Sequence, residues 1–100
     1  MNTSGVVDAE KQTILRAIRK HFPNAVVLFF GSRLRGDHKK YSDLDISINN
    51  QQPLDLAELS SLKEDFSLSD LPFKVDIVDW NRITDEFREV IRSEAVEWIV

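Results

Sequence analysis

Three aspartates stand where their side chains could share a metal ion. Asp43 and Asp45 are two residues apart in a segment that alternates polar and apolar residues, so on a strand both point to one face. Asp76 lies between β-branched residues in a second alternating segment, although aspartate is a poor strand former. If the two strands are neighbours, three carboxylates meet and repel one another unless a cation lies between them. Oxygen ligands without cysteine favour Mg²⁺ or Mn²⁺.

Each aspartate also has an ordinary structural explanation. Asp43 could cap the turn that starts its strand, and Asp45 could simply face water. Asp76 could pair with Lys74 on an exposed strand face. A lone pair of aspartates two residues apart is more often structural than functional. It is the third aspartate, in the middle of a predicted strand, that favours a metal site.

A glycine–serine pair could bind phosphate. Gly31 and Ser32 follow the apolar run 25–30 and precede a predicted helical turn at 33–35. Backbone amides at a helix N-terminus bind phosphate, and glycine allows the ligand to approach closely. The pair could equally be a plain turn, and the P-loop pattern is absent. The segment that follows is basic and is either a solvated loop or a cradle for a triphosphate; its cations are Arg33, Arg35, His38, Lys39 and Lys40.

The elements that must position these residues follow from the apolar periodicity. The pattern predicts the order helix, strand, short helix, strand, helix, strand, helix, which is an α/β (α+β) chain with one small sheet. The last predicted helix turns Ile83, Phe87, Val90 and Ile91 inward. The tail 95–100 could extend that helix or form an extended segment. The predicted strands are 25–30, 42–48 and 73–79, and the helices are 8–22, 33–35, one that begins at 55, and 82–92.

Length and composition narrow the class of protein. One hundred residues fit a single domain over 1–100. The absence of cysteine excludes a disulfide scaffold and thiolate chemistry, and the longest apolar run is far too short to span a membrane. A net charge of −4 argues against broad binding to nucleic acid, although not against a nucleoside triphosphate. With no secretory signal at the N-terminus, we expect a cytoplasmic protein.

Together, the motifs resemble the nucleotidyltransferase superfamily that includes the DNA polymerase β palm and kanamycin nucleotidyltransferase. The shared pattern is Gly31-Ser32, ten residues, Asp43-Leu44-Asp45 and a later strand aspartate, Asp76. The segments 30–36 and 42–46 are most similar to the minimal, MntA-like nucleotidyltransferases. The resemblance covers nearly the whole chain. It implies a mixed three-stranded core sheet in the order 1-2-3, with helices on one face and the active site on the other.

The resemblance also implies an activity, which is transfer of a nucleoside monophosphate, usually AMP from ATP, to a hydroxyl group. In-line attack at the α-phosphate gathers negative charge on the attacking and leaving oxygens, and two Mg²⁺ ions can neutralise both. The later aspartate would bind the second ion and activate the hydroxyl. Residue by residue, the resemblance assigns metal binding and catalysis to Asp43, Asp45 and Asp76, and nucleotide binding to Gly31, Ser32 and, more weakly, Arg33 and Arg35.

The predicted elements leave no residues for a surface that holds an acceptor. The resemblance implies that a partner supplies it, namely a HEPN-domain helical protein in a toxin–antitoxin pair, neutralised in some cases by adenylylation of a tyrosine. Two alternatives stay open: transfer to a small molecule such as an aminoglycoside, and a non-catalytic module that masks a toxin by binding. The apolar residues 98–100 could pack back on the sheet, or favour association with a partner or a second copy.

Overall fold

Four strands form one sheet in the computed structural model, which describes residues 6–37, 39 and 42–98. The strand order across the sheet is β3-β2-β1-β4; β1 is antiparallel to both of its neighbours, and β2 and β3 are parallel. In chain order the elements are α1 (Asp8–His21), β1 (Val26–Phe30), α2 (Ser32–Arg35), β2 (Leu44–Asn49), α3 (Leu56–Ser67), β3 (Val75–Asp79), a 3₁₀ turn (Trp80–Arg82), α4 (Asp85–Glu94) and β4 (Val96–Trp98).

The predicted core of three strands in the order 1-2-3 is confirmed, with strand ends that differ by at most two residues. The structure adds a fourth strand, because the tail leaves α4 and pairs with β1. Trp98 is buried there, and its ring centroid lies 4.9 Å from that of Phe29. This residue therefore packs back on the sheet, while Ile99 and Val100 lie outside the described residues.

One face of the sheet forms the main core. Leu44, Ile46 and Ile48 alternate along β2 and are fully buried, as the period of two requires for a strand covered on that face. The apolar stripes of α1 and α3 pack in the same cluster, with α1 contributing Ile14 and α3 contributing Leu62. The opposite residues of β2, which include Asp45, therefore point to the second face.

The second face is not wholly open, which corrects the expectation of helices on one face only. Ile91 of α4 packs with Phe30 and Trp80 in a separate small cluster. The predicted helix 82–92 instead begins after the 3₁₀ turn, because the Thr84 hydroxyl accepts a hydrogen bond from the Phe87 amide at 3.1 Å. Across the described ranges, no helix combines the length and the apolar character that crossing a membrane requires.

Two residues of α4 were predicted to face inward, and this was wrong. Phe87 and Val90 are 40% and 58% exposed. The guanidinium carbons of Arg88 and Arg92 lie 5.4 Å and 5.1 Å from the Trp80 ring centroid. Since α4 turns Ile91 to the sheet and lays these arginines against Trp80, Phe87 and Val90 lie on the flank of the helix.

A histidine holds the two helices of the main core together. His21 at the end of α1 places Nδ1 2.7 Å from Glu58 Oε2 and Nε2 2.6 Å from Asp65 Oδ2, both on α3. The hydrogen bond to Asp65 has the larger effect and that to Glu58 the next; both raise the pKa of His21 above its usual 6.5. The bond to His21 also lowers the pKa of Asp65. The protonated imidazolium can donate to both carboxylates, whereas the neutral ring can donate to only one.

This geometry predicts a pH-dependent stability. The raised pKa of His21 gives stabilisation that is complete below 6.5 and is lost as the pH rises through the folded-state value. We expect His21→Gln to lower the urea midpoint of unfolding clearly at pH 6 and only slightly at pH 9. Lys20→Gln is the control, since Lys20 also pairs with Asp65, at 3.5 Å, but has no imidazole. An equal loss for His21→Gln at both values would contradict the account.

Candidate active site

The sheet register brings two of the predicted aspartates side by side. Asp45 on β2 is directly opposite Asp76 on the parallel strand β3. On its other side Asp45 is opposite Phe30, the last residue of β1, so Gly31 begins where the carboxylates meet. Directly opposite residues on one face have Cβ atoms about 5 Å apart. The structure therefore brings Asp45, Asp76 and the Gly31 turn together, as the sequence predicts.

Asp45 lies in an unfavourable electrostatic environment. Burial raises the pKa of its carboxyl to about 6, and the charges of Asp76 and Asp43 and a hydrogen bond with Asp76 act in the same direction. Arg35 opposes them only in part. Asp45 is half-buried, whereas Asp43 and Asp76 are exposed. The two exposed carboxylates thus both destabilise the negative charge of the half-buried Asp45.

The chemistry of this donor set fits Mg²⁺, although its geometry is not preformed. Within the described part of the chain, no three acidic, histidine or cysteine side chains already converge as metal ligands. Asp45 and Asp76 instead lie side by side, and the charge of Asp76 disfavours ionisation of Asp45. An oxygen-only set with excess negative charge is what a hard divalent cation binds, and such an ion would relieve that repulsion.

Gly31 is required at its position for two independent reasons. Its φ of +89° lies in a region that side chains rarely adopt. A Cβ built on it would also overlap the Asp45 carboxylate, at 2.9 Å from Cγ and 3.0 Å from Cβ. The turn therefore lies directly on Asp45.

Arg33, the first arginine of α2, is buried and holds neighbouring segments together. Arg33 is only 5% exposed, its Nε donates to the Ser42 carbonyl at 2.9 Å, and its guanidinium carbon lies 4.2 Å from the Phe73 ring centroid. These contacts tie α2 to the start of β2 and to the segment before β3. They do not favour the phosphate role that the sequence suggested for Arg33.

The second arginine of α2 is exposed and meets a residue that sequence reasoning missed. Glu94, at the end of α4, accepts a hydrogen bond from the Gly31 amide at 3.2 Å. Arg35 Nη1 lies 3.4 Å from both Glu94 carboxylate oxygens. The helix dipole disfavours an anion at a helix C-terminus. The position of Glu94 at the end of α4 was therefore the one sequence feature that could have indicated stabilising partners elsewhere in the fold. The Glu94 carboxylate therefore occupies two of the donors that the sequence assigned to phosphate, the Gly31 amide and Arg35.

Other charged residues of this region have a different role or lie outside the described residues. Asp79, at the far end of β3, accepts hydrogen bonds from the Leu54 and Asn81 amides at 2.8 Å and 3.1 Å, so it anchors a loop and not a ligand. Lys39 is exposed, and its amide donates to Ser42 Oγ at 2.8 Å. His38 and Lys40 of the predicted basic segment lie outside the described residues.

The two glycines that flank α2 allow a matched test. Gly36 also has a positive φ, +83°, but a Cβ there would meet nothing within 4 Å. We expect Gly36→Ala to cost about 1–2 kcal/mol for the backbone alone. Gly31→Ala adds the overlap with Asp45 and should cost clearly more in urea unfolding. Equal losses would mean that Gly31 does not lie on the carboxylate.

Comparison with known proteins agrees with this geometry. The sequence model of the family described as polymerase beta, nucleotidyltransferase matches residues 12–97. A relative from Haemophilus influenzae, named a probable protein adenylyltransferase MntA, is 45% identical over 91 residues, which are 90% of this chain and 80% of the relative.

Two solved structures share the fold. A toxin–antitoxin crystal structure with AMP-PNP has a TM-score of 0.75 at 23% identity, over 90% of this chain and 73% of that one. The structure of a minimal nucleotidyltransferase has a TM-score of 0.69 at 31% identity, over 88% of each chain. With a family match over most of its length and a relative this similar, the chain belongs to the polymerase β-type nucleotidyltransferase family.

Proposed function

We propose that this nucleotidyltransferase transfers AMP from ATP to a hydroxyl group of a protein partner, as the antitoxin of a toxin–antitoxin pair. The observation that carries the proposal is the register that sets Asp45 opposite Asp76 beside the Gly31 turn. The name of the Haemophilus relative supports protein adenylylation, and the toxin–antitoxin structure with AMP-PNP supports both a partner and an adenine nucleotide. The partner we propose is a HEPN-domain helical protein, as the family resemblance implies.

The three aspartates differ in burial, and this difference suggests different roles for them. Asp45 lies under Gly31 and is half-buried, so it suits a metal ligand and cannot reach an acceptor. Asp43, two residues earlier in the chain, and Asp76, on the neighbouring strand, are exposed. Asp43 and Asp45 would hold two Mg²⁺ ions, and Asp76 would contribute a ligand to the second. When bound, the ions would neutralise charge on the attacking and leaving oxygens.

In the proposed reaction, the acceptor hydroxyl oxygen attacks the α-phosphorus of ATP. A new oxygen–phosphorus bond forms, and the bond from the α-phosphorus to the bridging oxygen breaks. Its electron pair leaves with pyrophosphate. The hydroxyl proton passes to the carboxylate of Asp76, which is exposed and can be reached from solvent. General-base assistance of this kind contributes about 10²–10⁴-fold to a rate.

The leaving pyrophosphate needs donors on the other side of the site. The Gly31 amide, the Ser32 hydroxyl and the exposed Arg35 would hold the β- and γ-phosphates. Since Glu94 accepts from the Gly31 amide and lies beside Arg35, a bound triphosphate must displace its carboxylate. Phosphate oxygens carry more charge than one carboxylate, so the exchange is favourable when Mg·ATP is present.

The first test measures the transfer. With labelled ATP, Mg²⁺ and the HEPN-domain protein encoded beside it, the protein should label that partner. Asp76→Asn should reduce the rate at least about 100-fold, because it removes the proton acceptor and a ligand. Asp8→Asn, an exposed aspartate at the start of α1 on the opposite face of the sheet, is the matched control and should be unchanged.

The same assay discriminates the other functions. Label on an aminoglycoside and not on protein would favour a small-molecule transferase. Neutralisation of the toxin that survives Asp43→Asn, with label on neither, would favour a module that acts by masking. Either result would overturn protein adenylylation.

A second test concerns the carboxylate on the phosphate side. We expect Glu94→Gln to lower the Kd for Mg·ATP about fivefold in calorimetric titration, since a neutral amide competes less well for Arg35 and does not repel phosphate. Glu97→Gln on β4, which is exposed, is the control. Weaker binding in Glu94→Gln would mean that Glu94 helps to hold the nucleotide.

A further inference from the structure

A cavity lies beside the third carboxylate, on the side away from the Gly31 turn. It has a volume of about 520 Å³ and runs between α3 and β3. Phe66, Phe73 and Ile77 give it an apolar lining, and Asp76 is one of its lining residues. The cavity therefore reaches the strand that carries Asp76, at the outer edge of the sheet.

Two lysines make the rim of the cavity positive. Lys63 on α3 and Lys74 just before β3 both line it, and both are exposed. The chain as a whole is acidic, with a net charge of −4, so a positive rim here is a local feature. Charge complementarity favours an occupant that carries acidic groups.

The backbone edge of β3 also faces the cavity. β3 is an end strand, and in the described part of the chain β2 is its one neighbour. The Leu44 amide donates to the Lys74 carbonyl at 2.9 Å, so alternate residues from Lys74 onward direct their backbone groups to β2. The N–H and C=O groups of Val75 and Ile77 therefore point away from β2, and both residues line the cavity.

We propose that the acceptor segment of the partner protein binds in this cavity as an added strand on the free edge of β3. The inference rests on the proposed function, because it says how a protein acceptor reaches the site. A strand edge beside an apolar groove is a recurring way to bind an extended peptide: the main chain supplies hydrogen bonds, and alternate side chains enter pockets.

The added strand explains how one segment satisfies both features of the cavity. Alternate side chains of a strand point to opposite faces of the sheet. A hydroxyl-bearing residue opposite Asp76 lies on the face of the carboxylates, with its Cβ about 5 Å from that of Asp76. Its sequence neighbours then point to the other face, where Phe66 and Phe73 provide apolar contact. Acidic residues nearby would meet Lys63 and Lys74.

The other edge of the sheet does not offer this geometry. β4 is separated from β3 by two strands, so the two end strands lie roughly 14 Å apart. An acceptor added to β4 would be held far from Asp76. The proposal is therefore specific for one edge, and β4 serves as an internal control.

Amide hydrogen exchange tests the docking without requiring turnover. The Asp76→Asn variant is mixed with the HEPN-domain protein, and exchange is compared with and without that partner. We expect the Val75 and Ile77 amides to become at least tenfold more protected, while those of β4 do not change. Protection of β4 alone, protection by a second copy of this chain alone, or no protection of β3 would each overturn the proposal.

A charge reversal at the rim tests the same surface in the active protein. Lys63→Glu should raise the KM for the partner protein about fivefold, while kcat and the Kd for Mg·ATP stay unchanged. Arg16→Glu, on the exposed side of α1, is the matched control and should leave all three unchanged. A KM unaffected by Lys63→Glu would overturn the role of the rim.

The two assays separate this inference from the proposed function. Label on the partner without protection of β3 would leave adenylylation standing and remove the docking site. Protection of β3 without label would support the docking and remove the activity.

Discussion

The contact between the Gly31 turn and the Asp45 carboxylate is the constraint on which the rest of the structure depends. It holds a half-buried negative charge beside a second carboxylate, Asp76, and burial raises the pKa of Asp45 to about 6. The arrangement requires the register of β1, β2 and β3, since a slip by one residue would move the aspartates into the apolar core. The fold thus maintains a repulsion that stabilises nothing by itself and that a cation would relieve.

The helix on the second face completes the site from the other side. α4 packs through Ile91 and ends at Glu94, whose carboxylate meets the Gly31 amide and Arg35. The Gly31 turn therefore has an acidic side chain on each side. Asp45 lies at the proposed metal site, and Glu94 lies at the proposed phosphate site. Under the proposed function, this placement would link the conformation at the end of α4 to the binding of a nucleotide.

The sequence predicted what short-range periodicity determines. The alternation along β2 assigned Leu44 to the core and Asp45 to the opposite face, because the period of a strand is two. It could not identify the partner of Glu94, since Gly31 is 63 residues away along the chain. Nor could it orient α4: an apolar stripe shows that a helix has a buried side, but which residues are buried depends on tertiary packing, which here buries Ile91 and leaves Phe87 and Val90 exposed. The short strand β4 is likewise determined by its pairing with β1 and not by its own three residues.

The most direct test of the central claim is the melting temperature with and without Mg²⁺, for the wild type and for Asp45→Asn. If the carboxylates repel one another until a cation binds, Asp45→Asn should melt higher than the wild type in metal-free buffer. A gain of roughly 1 kcal/mol, allowing for the water that reaches this half-buried group, corresponds to about 4–8 °C. Mg²⁺ should then stabilise the wild type and leave Asp45→Asn unchanged. A variant that melts lower without metal, with Mg²⁺ stabilising both proteins equally, would contradict the account.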